Sequence, residues 1–332
     1  MGFDESGVTV MTCVAVGTRG SALARCQTGL VLDALRRSLP GVDVPEFDIR
    51  VISTQGDRQL NASLQAIGGK GVFVKEIESE LLNGQIDIAV HSLKDMAPEL
   101  PEGLTVGAIL ARACPFDCLI SVHAGGAAPL DSLPKGARVG TNSLRRQSQL
   151  LHLRPDLRIV PIRGNVPTRI RAIERYGLDA VVLAQSGLRR LDFTPESLMS
   201  EYGLHWIALD ETMLPAAGQG AMAVECRADD AATLRMLAYV DDASTRRDVT
   251  VERAFMQALG GSCTFPIGAY GRGTDEGFAF DGFISQPDGT QWRGCSFTAA
   301  GSDVPALVAE AEQYAGRLLQ DGEPQVVGTA KS

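Results

Sequence analysis

Short apolar segments alternate with amphipathic helical segments along most of this chain, and each apolar segment ends in a polar turn. The apolar segments are predicted to be strands at 14–17, 47–53, 85–90, 138–140, 158–162 and 179–184. Strands that alternate with helices predict βα units, and therefore an α/β fold with parallel sheets. Ligands of open α/β sheets bind at the carboxyl ends of the strands. The polar turns are therefore the candidate functional site.

The composition is that of a globular protein with a net charge of −9. Its 332 residues, 45% hydrophobic and 21% charged, are enough for two or three domains, each with its own core. The negative charge argues against nucleic acid or acidic membranes as partners, so any arginine cluster is expected to bind a small anion. No apolar run reaches the roughly 18 residues of a membrane span. Asp4 and Glu5 do not suit a secretory signal, so we expect a cytoplasmic location.

The seven cysteines form neither a CxxC pair nor a set with histidines at zinc-ligand spacing. We therefore predict no disulfide framework and no metal site, and most of the cysteines are expected to be small core residues. Cys263 differs because it lies in a glycine-containing loop just past a helix predicted at 251–259. We expect that thiol to be exposed.

Asp95 closes a polar stretch, His91-Ser92-Leu93-Lys94-Asp95, that follows the strand predicted at 85–90. A carboxylate beside a lysine at such a point can stay ionised at neutral pH and face a cation in a partly desolvated cleft. A Lys–Asp ion pair that caps the loop is the alternative, since such pairs are common and mostly structural. These residues alone leave both interpretations open.

Several turns combine arginine with a helix start, a pattern typical of anion binding. Thr18-Arg19-Gly20-Ser21 precedes a helix that Ser21 can cap. In the second half of the chain the polar residues after predicted strands are Ser143, Arg145, Arg146, Arg163, Arg169, Ser186 and Arg190. Arginines in first helical turns oppose the helix macrodipole and cost stability unless an anion joins them. Solvated surface charge is the alternative for any single arginine.

A glycine-rich segment, Gly68-Gly69-Lys70-Gly71, precedes a helix predicted to carry Phe73, Ile77 and Leu81 on one face. Its spacing is not that of a Walker A loop. It predicts either a mobile loop that presents Lys70 and Phe73 to a ligand or a packed turn.

Two segments rich in small residues mark crossings between domains, at 113–135 and at 213–221. We predict one domain from 12–112 together with 214–239 and a second from 116–210. The remainder, 241–332, is predicted to be a small α+β domain with a hairpin turn at 287–290 and a helix at 303–319.

Seven of these stretches together resemble the porphobilinogen deaminases, a family also called hydroxymethylbilane synthases. They run in the family's order from about residue 13 to residue 270. The stretches are Thr18-Arg19-Gly20-Ser21, Gly68-Gly69-Lys70-Gly71-Val72-Phe73, His91-Ser92-Leu93-Lys94-Asp95, Ser143-Leu144-Arg145-Arg146-Gln147, Arg163-Gly164-Asn165, Gly218-Gln219-Gly220 and the Cys263 loop. Seven collinear motifs are far more specific than any one of them.

The resemblance implies two α/β domains like those of periplasmic binding proteins and a third, small α+β domain at the C-terminal end. It implies a dipyrromethane cofactor, joined to Cys263 through a thioether, and chemistry without a metal. Four porphobilinogen molecules are added in turn in this family, and hydrolysis then releases the linear tetrapyrrole. The implied partners are thus porphobilinogen and the growing oligopyrrole chain, and a monomer is expected.

The resemblance also assigns roles to residues at matching positions. Asp95 is the implied catalytic residue. The implied cofactor-binding residues are Lys94, Ser143, Arg145, Arg146, Arg163, Gly164, Asn165, Arg169, Ser186 and, covalently, Cys263. The implied substrate-binding residues are Arg19, Ser21, Gln27, Lys70, Phe73, Arg190 and Gln219. The chain departs from the family pattern at Ala66 and Ser262, where many members carry lysine and glycine, and at Met96-Ala97-Pro98, where the proline comes later.

The chemistry of these residue types agrees with the implied reaction. A carboxylate can hydrogen-bond pyrrole N–H groups, stabilise the cation that forms when ammonia leaves, and carry protons. Arginine suits the acetate and propionate of each pyrrole because it donates two hydrogen bonds in a fixed plane. The alternative function is a two-lobed anion receptor or ligand-sensing domain, which needs neither Asp95 nor Cys263. Such a protein is normally exported or fused to a DNA-binding module, and the sequence shows no sign of either.

Overall fold

The computed structural model describes residues 2–3, 9–10, 12–39, 44–54, 74–261, 265–301 and 303–320. Its strands are β1 Gly2–Phe3, β2 Thr9–Val10, β3 Cys13–Arg19, β4 Glu46–Ile52, β5 Ile88–Ser92, β6 Leu104–Ile109, β7 Asp117–Ser121, β8 Arg138–Gly140, β9 Arg158–Val160, β10 Ala180–Ala184, β11 His205–Ala208, β12 Met222–Arg227, β13 Ile267–Thr274, β14 Gly277–Ile284 and β15 Arg293–Ala299. Its helices are α1 Ala22–Ser38, α2 Lys75–Leu82, α3 Leu144–Leu153, α4 Val166–Tyr176, α5 Gln185–Arg189, α6 Pro195–Tyr202, α7 Ala231–Leu237, α8 Ala243–Ala258 and α9 Val304–Gln320. Within these ranges no helix is both long enough and apolar enough to cross a membrane.

The chain divides into two compact units. The first consists of Met1–Cys114, Arg190–Asp192 and Gly218–Arg246. The second consists of Pro115–Arg189, Phe193–Ala217 and Arg247–Ser332.

A five-stranded sheet forms the centre of the first unit, in the order β4-β3-β5-β12-β6. β4, β3 and β5 are parallel, whereas β12 pairs antiparallel with β5 and β6. Apolar side chains of α1 and α7 fill one face, and those of α2 fill the other. Because β12 is antiparallel to β5, the first residue of β12 lies beside the carboxyl end of β5. There Met222 pairs with Ser92.

The second unit contains another five-stranded sheet, in the order β11-β7-β10-β8-β9. β10, β8 and β9 are parallel, and β7 is antiparallel to β10 and β11. α4, α5 and α6 pack against one face, and α3 packs against the other. The carboxyl ends of three parallel strands, each followed by a helix, therefore share one edge of this sheet.

The C-terminal part of the second unit is a three-stranded antiparallel sheet in the order β13-β14-β15. It shares an apolar core with α8 and α9, to which Phe255, Phe280 and Leu307 contribute. The β14–β15 turn lies against α3: Gln147 Nε2 donates to the carbonyl of Pro287 at 3.0 Å.

An aromatic stack next to this turn adds to the contact with α3. Trp292 stacks between Phe283, with ring centroids 4.1 Å apart, and His152 of α3, at 4.5 Å. His152 Nδ1 also lies 3.2 Å from the carbonyl oxygen of Gly289. The C-terminal sheet is thus fixed to the same helix that carries Arg145 and Arg146 in its first turn.

The predicted α/β class and the predicted cap at Ser21 are confirmed, and other helix ends have similarly local signals. Ser21 accepts a hydrogen bond from the backbone N–H of Ala24 at the start of α1, and Asn165 caps α4 with Pro167 in the first turn. Gly177 ends α4 in the left-handed region, at a φ of 58°. The hairpin and the C-terminal helix are present as well.

The strands differ from the sequence prediction in several places, and β6, β7, β11 and β12 were not predicted at all. β5 extends to Ser92, so His91 and Ser92 lie inside the strand and not in the turn after it. β13 was not predicted, because its glycines at 268, 271 and 273 are usual in turns. A Cβ on Gly268 would come within 2.3 Å of the Phe283 ring, so close packing of aromatic rings explains the glycine there.

We expect Gly289→Ala to destabilise the second unit. Gly289 has a φ of +82°, and a Cβ there would lie 2.5 Å from the backbone nitrogen of His152. The left-handed conformation alone costs about 1–3 kcal/mol for a non-glycine residue, and displacement of the turn from α3 adds to it. Gly136→Ala is the control, since Gly136 has a φ of +73° with nothing within 4 Å of its Cβ position. Chemical denaturation measures both; equal losses in the two variants would contradict the steric contact.

Candidate active site

Asp95 ends a turn whose other residues are all fixed by hydrogen bonds. The backbone N–H of Leu93 donates to the carbonyl of Ala221 at 3.1 Å, and Lys94 Nζ donates to Gln219 Oε1 at 3.2 Å. Asp95 itself is exposed, and its side chain has no hydrogen bond or ion pair with another described residue. The carboxylate is therefore free to meet a ligand, and a Lys94–Asp95 pair is not what closes this loop.

The turn after β3 lies at the same sheet edge, because β3 and β5 are parallel neighbours. Arg19 is the last residue of β3 and is half-buried, and Ser21 is the cap of α1. Gln27, further along α1, is buried and donates from Nε2 to Ser92 Oγ at 2.9 Å. Three predicted substrate residues are thus brought to the edge that carries Asp95.

Gln219, which precedes β12, and Arg190, which contacts the same segment, also lie in the first unit. Gln219 is buried, and its backbone carbonyl accepts from Arg112 Nε at 2.9 Å. Arg190 Nη2 donates to the carbonyl of Gly220 at 2.7 Å. The expectation that Arg190 lies in a first helical turn was wrong, because α5 ends at Arg189 and Arg190 packs with the first unit. Burial lowers the pKa of Arg190.

The predicted cofactor residues other than Lys94 and Cys263 lie at one edge of the second sheet. Ser143 caps α3 after β8, Asn165 caps α4 after β9, and Ser186 is buried in α5 after β10. Since these three strands are parallel neighbours, their turns are adjacent.

A buried carboxylate joins the two arginines in the first turn of α3. Asp117, at the start of β7, accepts from Arg145 Nη2 at 2.7 Å and from Arg146 Nη2 at 2.8 Å. Arg146 also donates to the carbonyl of Val182, and Arg145 to that of Leu214. Asp117 therefore supplies part of the negative charge that two arginines in a first helical turn require.

Asp117 stays ionised in spite of its complete burial. Burial alone would raise the pKa of this carboxyl, but the two guanidinium groups and their hydrogen bonds hold the pKa well below its ordinary value of 3.8. One carboxylate balances only one of the two arginines. The Nε–H groups of both arginines are buried without an acceptor among the described residues, so the cluster keeps surplus positive charge and unused donors.

Asp117 was not predicted from the sequence. The sequence feature that could have indicated it is an acidic residue at the start of an apolar segment, Asp117-Cys118-Leu119-Ile120. A charge on a fully buried strand requires a partner, but the sequence does not identify which arginine supplies it.

The turn after β9 adds further cationic groups. Arg163 is half-buried and makes no hydrogen bond or ion pair with another described residue. Arg169 donates from Nε to the carbonyl of Gly164 at 2.8 Å. Gly164 has a φ of +106°, and a Cβ there would come within 2.7 Å of Thr168. The backbone at this turn is therefore fixed in a form that requires glycine.

Several predicted residues lie outside the described ranges. They are Ala66, Lys70, Phe73, Ser262 and the predicted attachment residue Cys263.

Each unit is an α/β domain that carries arginines at the carboxyl edge of its sheet. The sequence matches the family description "Porphobilinogen deaminase, dipyromethane cofactor binding domain" over residues 14–235 and "Porphobilinogen deaminase, C-terminal domain" over residues 247–313. The chain therefore belongs to the porphobilinogen deaminase family.

Curated relatives agree over most of the chain. The porphobilinogen deaminase of Limosilactobacillus reuteri (strain DSM 20016) is 49% identical over 276 residues, covering 83% of this chain and 87% of the relative. That of Brevibacillus brevis is 47% identical over 312 residues, covering 92% and 96%. Among solved structures, the periplasmic VFT2 domain of Bordetella pertussis BvgS is 17% identical with a TM-score of 0.41, covering 69% of this chain and 86% of that one.

The second sheet edge fits the cofactor that the family match names. A dipyrromethane with acetate and propionate side chains is an anion with several carboxylates. The unused Nε–H donors of Arg145 and Arg146 and the unpaired guanidinium of Arg163 are the groups that such carboxylates would satisfy.

We expect Asp117→Asn to destabilise the second unit strongly. The change leaves two buried guanidinium groups without a counter-charge, and breaking a buried pair in this way costs about 3–5 kcal/mol. The lowered pKa makes the contribution of Asp117 fully present above 3.8 and lost as the pH falls further below that value. The difference from wild type in free energy of unfolding should therefore shrink in acid.

Asp156→Asn is the matched control, because Asp156 pairs with Arg154 in the same unit but at the surface. Chemical denaturation at several pH values measures both variants. A similar small loss in each would show that Asp117 does not balance a buried cluster.

Proposed function

We propose that the protein is the transferase that condenses four porphobilinogen molecules head to tail on a dipyrromethane attached to Cys263, and then releases hydroxymethylbilane. The observation that carries this proposal is the free, exposed carboxylate of Asp95 at the end of a turn whose other residues are fixed. The family membership supports the reaction type. The net charge of −9 supports small-molecule partners over nucleic acid, and we expect a cytoplasmic monomer.

Asp95 is the proposed charge-stabilising residue. Each addition breaks the carbon–nitrogen bond of the substrate's aminomethyl group, and ammonia leaves with the electron pair. The electron-poor carbon left on the substrate is stabilised by the nearby carboxylate, which also accepts hydrogen bonds from pyrrole N–H groups. A new carbon–carbon bond then forms, and the proton displaced from the pyrrole carbon passes to a carboxylate oxygen of Asp95. When bound, the dipyrromethane supplies the first nucleophilic pyrrole.

The arginines are proposed to hold the carboxylates of the cofactor and the growing chain. Arg163 has no partner among the described residues, and Arg145 and Arg146 share one carboxylate between them. Charge-assisted hydrogen bonds to acetate and propionate groups would use this surplus. On the first sheet edge, Arg19 and Arg190 are proposed to serve the incoming substrate.

Cys263 is the proposed attachment point, partly because other thiols are poorly suited. Burial raises the pKa of Cys226 and of Cys295 to about 11, which suppresses the thiolate needed for thioether formation. Burial also raises the pKa of Cys26. The sequence places Cys263 in a glycine-containing segment at the position that matches the family's attachment cysteine.

We expect Asp95→Ala to lower kcat by about 10²–10³ or more, as removal of one preorganised stabilising group typically does. The thermal midpoint should not change, since Asp95 is exposed and makes no contact that holds the fold. Glu102→Ala, which removes another exposed carboxylate of the first unit, is the control and should keep wild-type kcat. Steady-state assays of hydroxymethylbilane formation decide the matter; near-normal kcat in Asp95→Ala would exclude the assigned role.

We expect the intact mass of the purified protein to exceed the sequence mass by two pyrrole units, and Cys263→Ser to lack this addition and nearly all activity. A serine hydroxyl is scarcely ionised at neutral pH and does not form the link. Cys13→Ser is the control, because Cys13 is an exposed thiol that should be irrelevant. Intact-protein mass spectrometry with peptide mapping makes the measurement. Finding the addition on a different cysteine, or an active Cys263→Ser variant without it, would refute the attachment.

A further inference from the structure

His91, Glu225 and Glu78 form a cluster of ionisable groups inside the first unit. They are 5%, 0% and 8% exposed, and His91 Nε2 lies 3.0 Å from Glu225 Oε2. The geometry at this contact is not that of a hydrogen bond, and neither Glu225 oxygen has another hydrogen-bond partner among the described residues. The two side chains therefore make a close polar contact in a buried position. Burial, and then the negative charge of Glu225, raise the pKa of Glu78.

Stability alone does not account for this cluster. Burying charged groups carries a desolvation penalty that apolar residues of similar size avoid, and replacing a buried ion pair with such residues is often neutral or stabilising. Buried polar groups without hydrogen bonds are also rare in folded proteins, and each calls for a specific explanation. Glu78 lies on α2 between Ile77 and Leu81, which are buried apolar residues. Apolar side chains therefore fit this part of the core.

The position of the cluster suggests what it does. His91 lies on β5 four residues before Asp95, and it pairs with Ala223 of β12, two residues from Glu225. Ser92, the next residue, is bonded to Gln27 of α1 on the other face of the sheet. Lys94 is bonded to Gln219. The side chains of His91, Ser92 and Lys94 thus hold the end of β5 through contacts on both faces of the sheet. The side chain of Asp95 makes no such contact.

We propose that His91 and Glu225 are positioning residues that fix the end of β5 and thereby the orientation of Asp95. This inference rests on the proposed function. The contact joins neighbouring strands diagonally and resists sliding of β5 along β12, which would carry the Leu93–Asp95 turn with it. A misplacement of about 1 Å in a reacting group can lower a rate about 10²-fold, so small shifts matter here.

The test is to replace both members of the pair together in His91→Leu/Glu225→Leu, which leaves neither side chain buried without the other. The thermal midpoint should stay near that of wild type, while kcat for hydroxymethylbilane formation falls by about 10-fold or more. KM and the cofactor content, read from the intact mass, should not change. Asp87→Asn is the matched control: Asp87 pairs with Arg227 at 2.8 Å just before the other end of β5. That change should lower stability and leave kcat unaltered.

Glu225→Gln keeps the side-chain volume and serves if the double variant does not fold; it should lower kcat with the cofactor retained. Wild-type kcat in either folded variant would overturn the proposal, as would a loss of activity that only follows loss of cofactor. A kcat lowered equally in Asp87→Asn would overturn it too, because any disturbance of β5 would then have the same effect. Wild-type holoprotein that does not consume porphobilinogen would instead contradict the proposed function.

Discussion

The ion pairs of Asp117 with Arg145 and Arg146 are the interaction on which the second sheet edge depends. Two arginines in the first turn of α3 oppose the helix macrodipole, and both are buried. Without Asp117 neither could be held there as a cation. With it, the two guanidinium planes are fixed before any ligand arrives, so a carboxylate that binds them does not have to order long side chains. The same carboxylate leaves one positive charge unbalanced, and the proposed binding of cofactor carboxylates rests on that surplus charge.

The first sheet edge is organised in the opposite way. There the neighbours of the reactive group have defined partners and the carboxylate of Asp95 has none among the described residues. The surplus positive charge beside Asp117 is an unfavourable feature of the second unit taken alone. Such features are common where a fold gives up stability for function. Under the proposed function, cofactor carboxylates that compensate this charge would bind the folded state selectively and therefore stabilise it.

Local patterns in the sequence were sufficient for the features that depend on neighbouring residues. Helix caps are predictable, because the capping side chain and the backbone groups that it binds lie within one helical turn. Examples are the caps at Ser21, Ser143 and Asn165 and the left-handed glycine at Gly177. The parallel strands also put the arginine turns of α3 and α4 at one edge, as expected from βα units. Features set by strand order were not predictable. Asp117 meets Arg145 only because β7 inserts antiparallel beside β10, and Arg190 packs beside Gly220 of the first unit although α5 belongs to the second.

The stack of Phe283, Trp292 and His152 has an optical consequence. The chain has only two tryptophans, and one of them is held between a ring of the C-terminal sheet and the imidazole of the helix that begins with Arg145 and Arg146. Stacking on an imidazole makes the emission of an indole sensitive to the distance of that ring. The intrinsic fluorescence of Trp292 therefore reports whether the hairpin lies on α3, and it does so without any label.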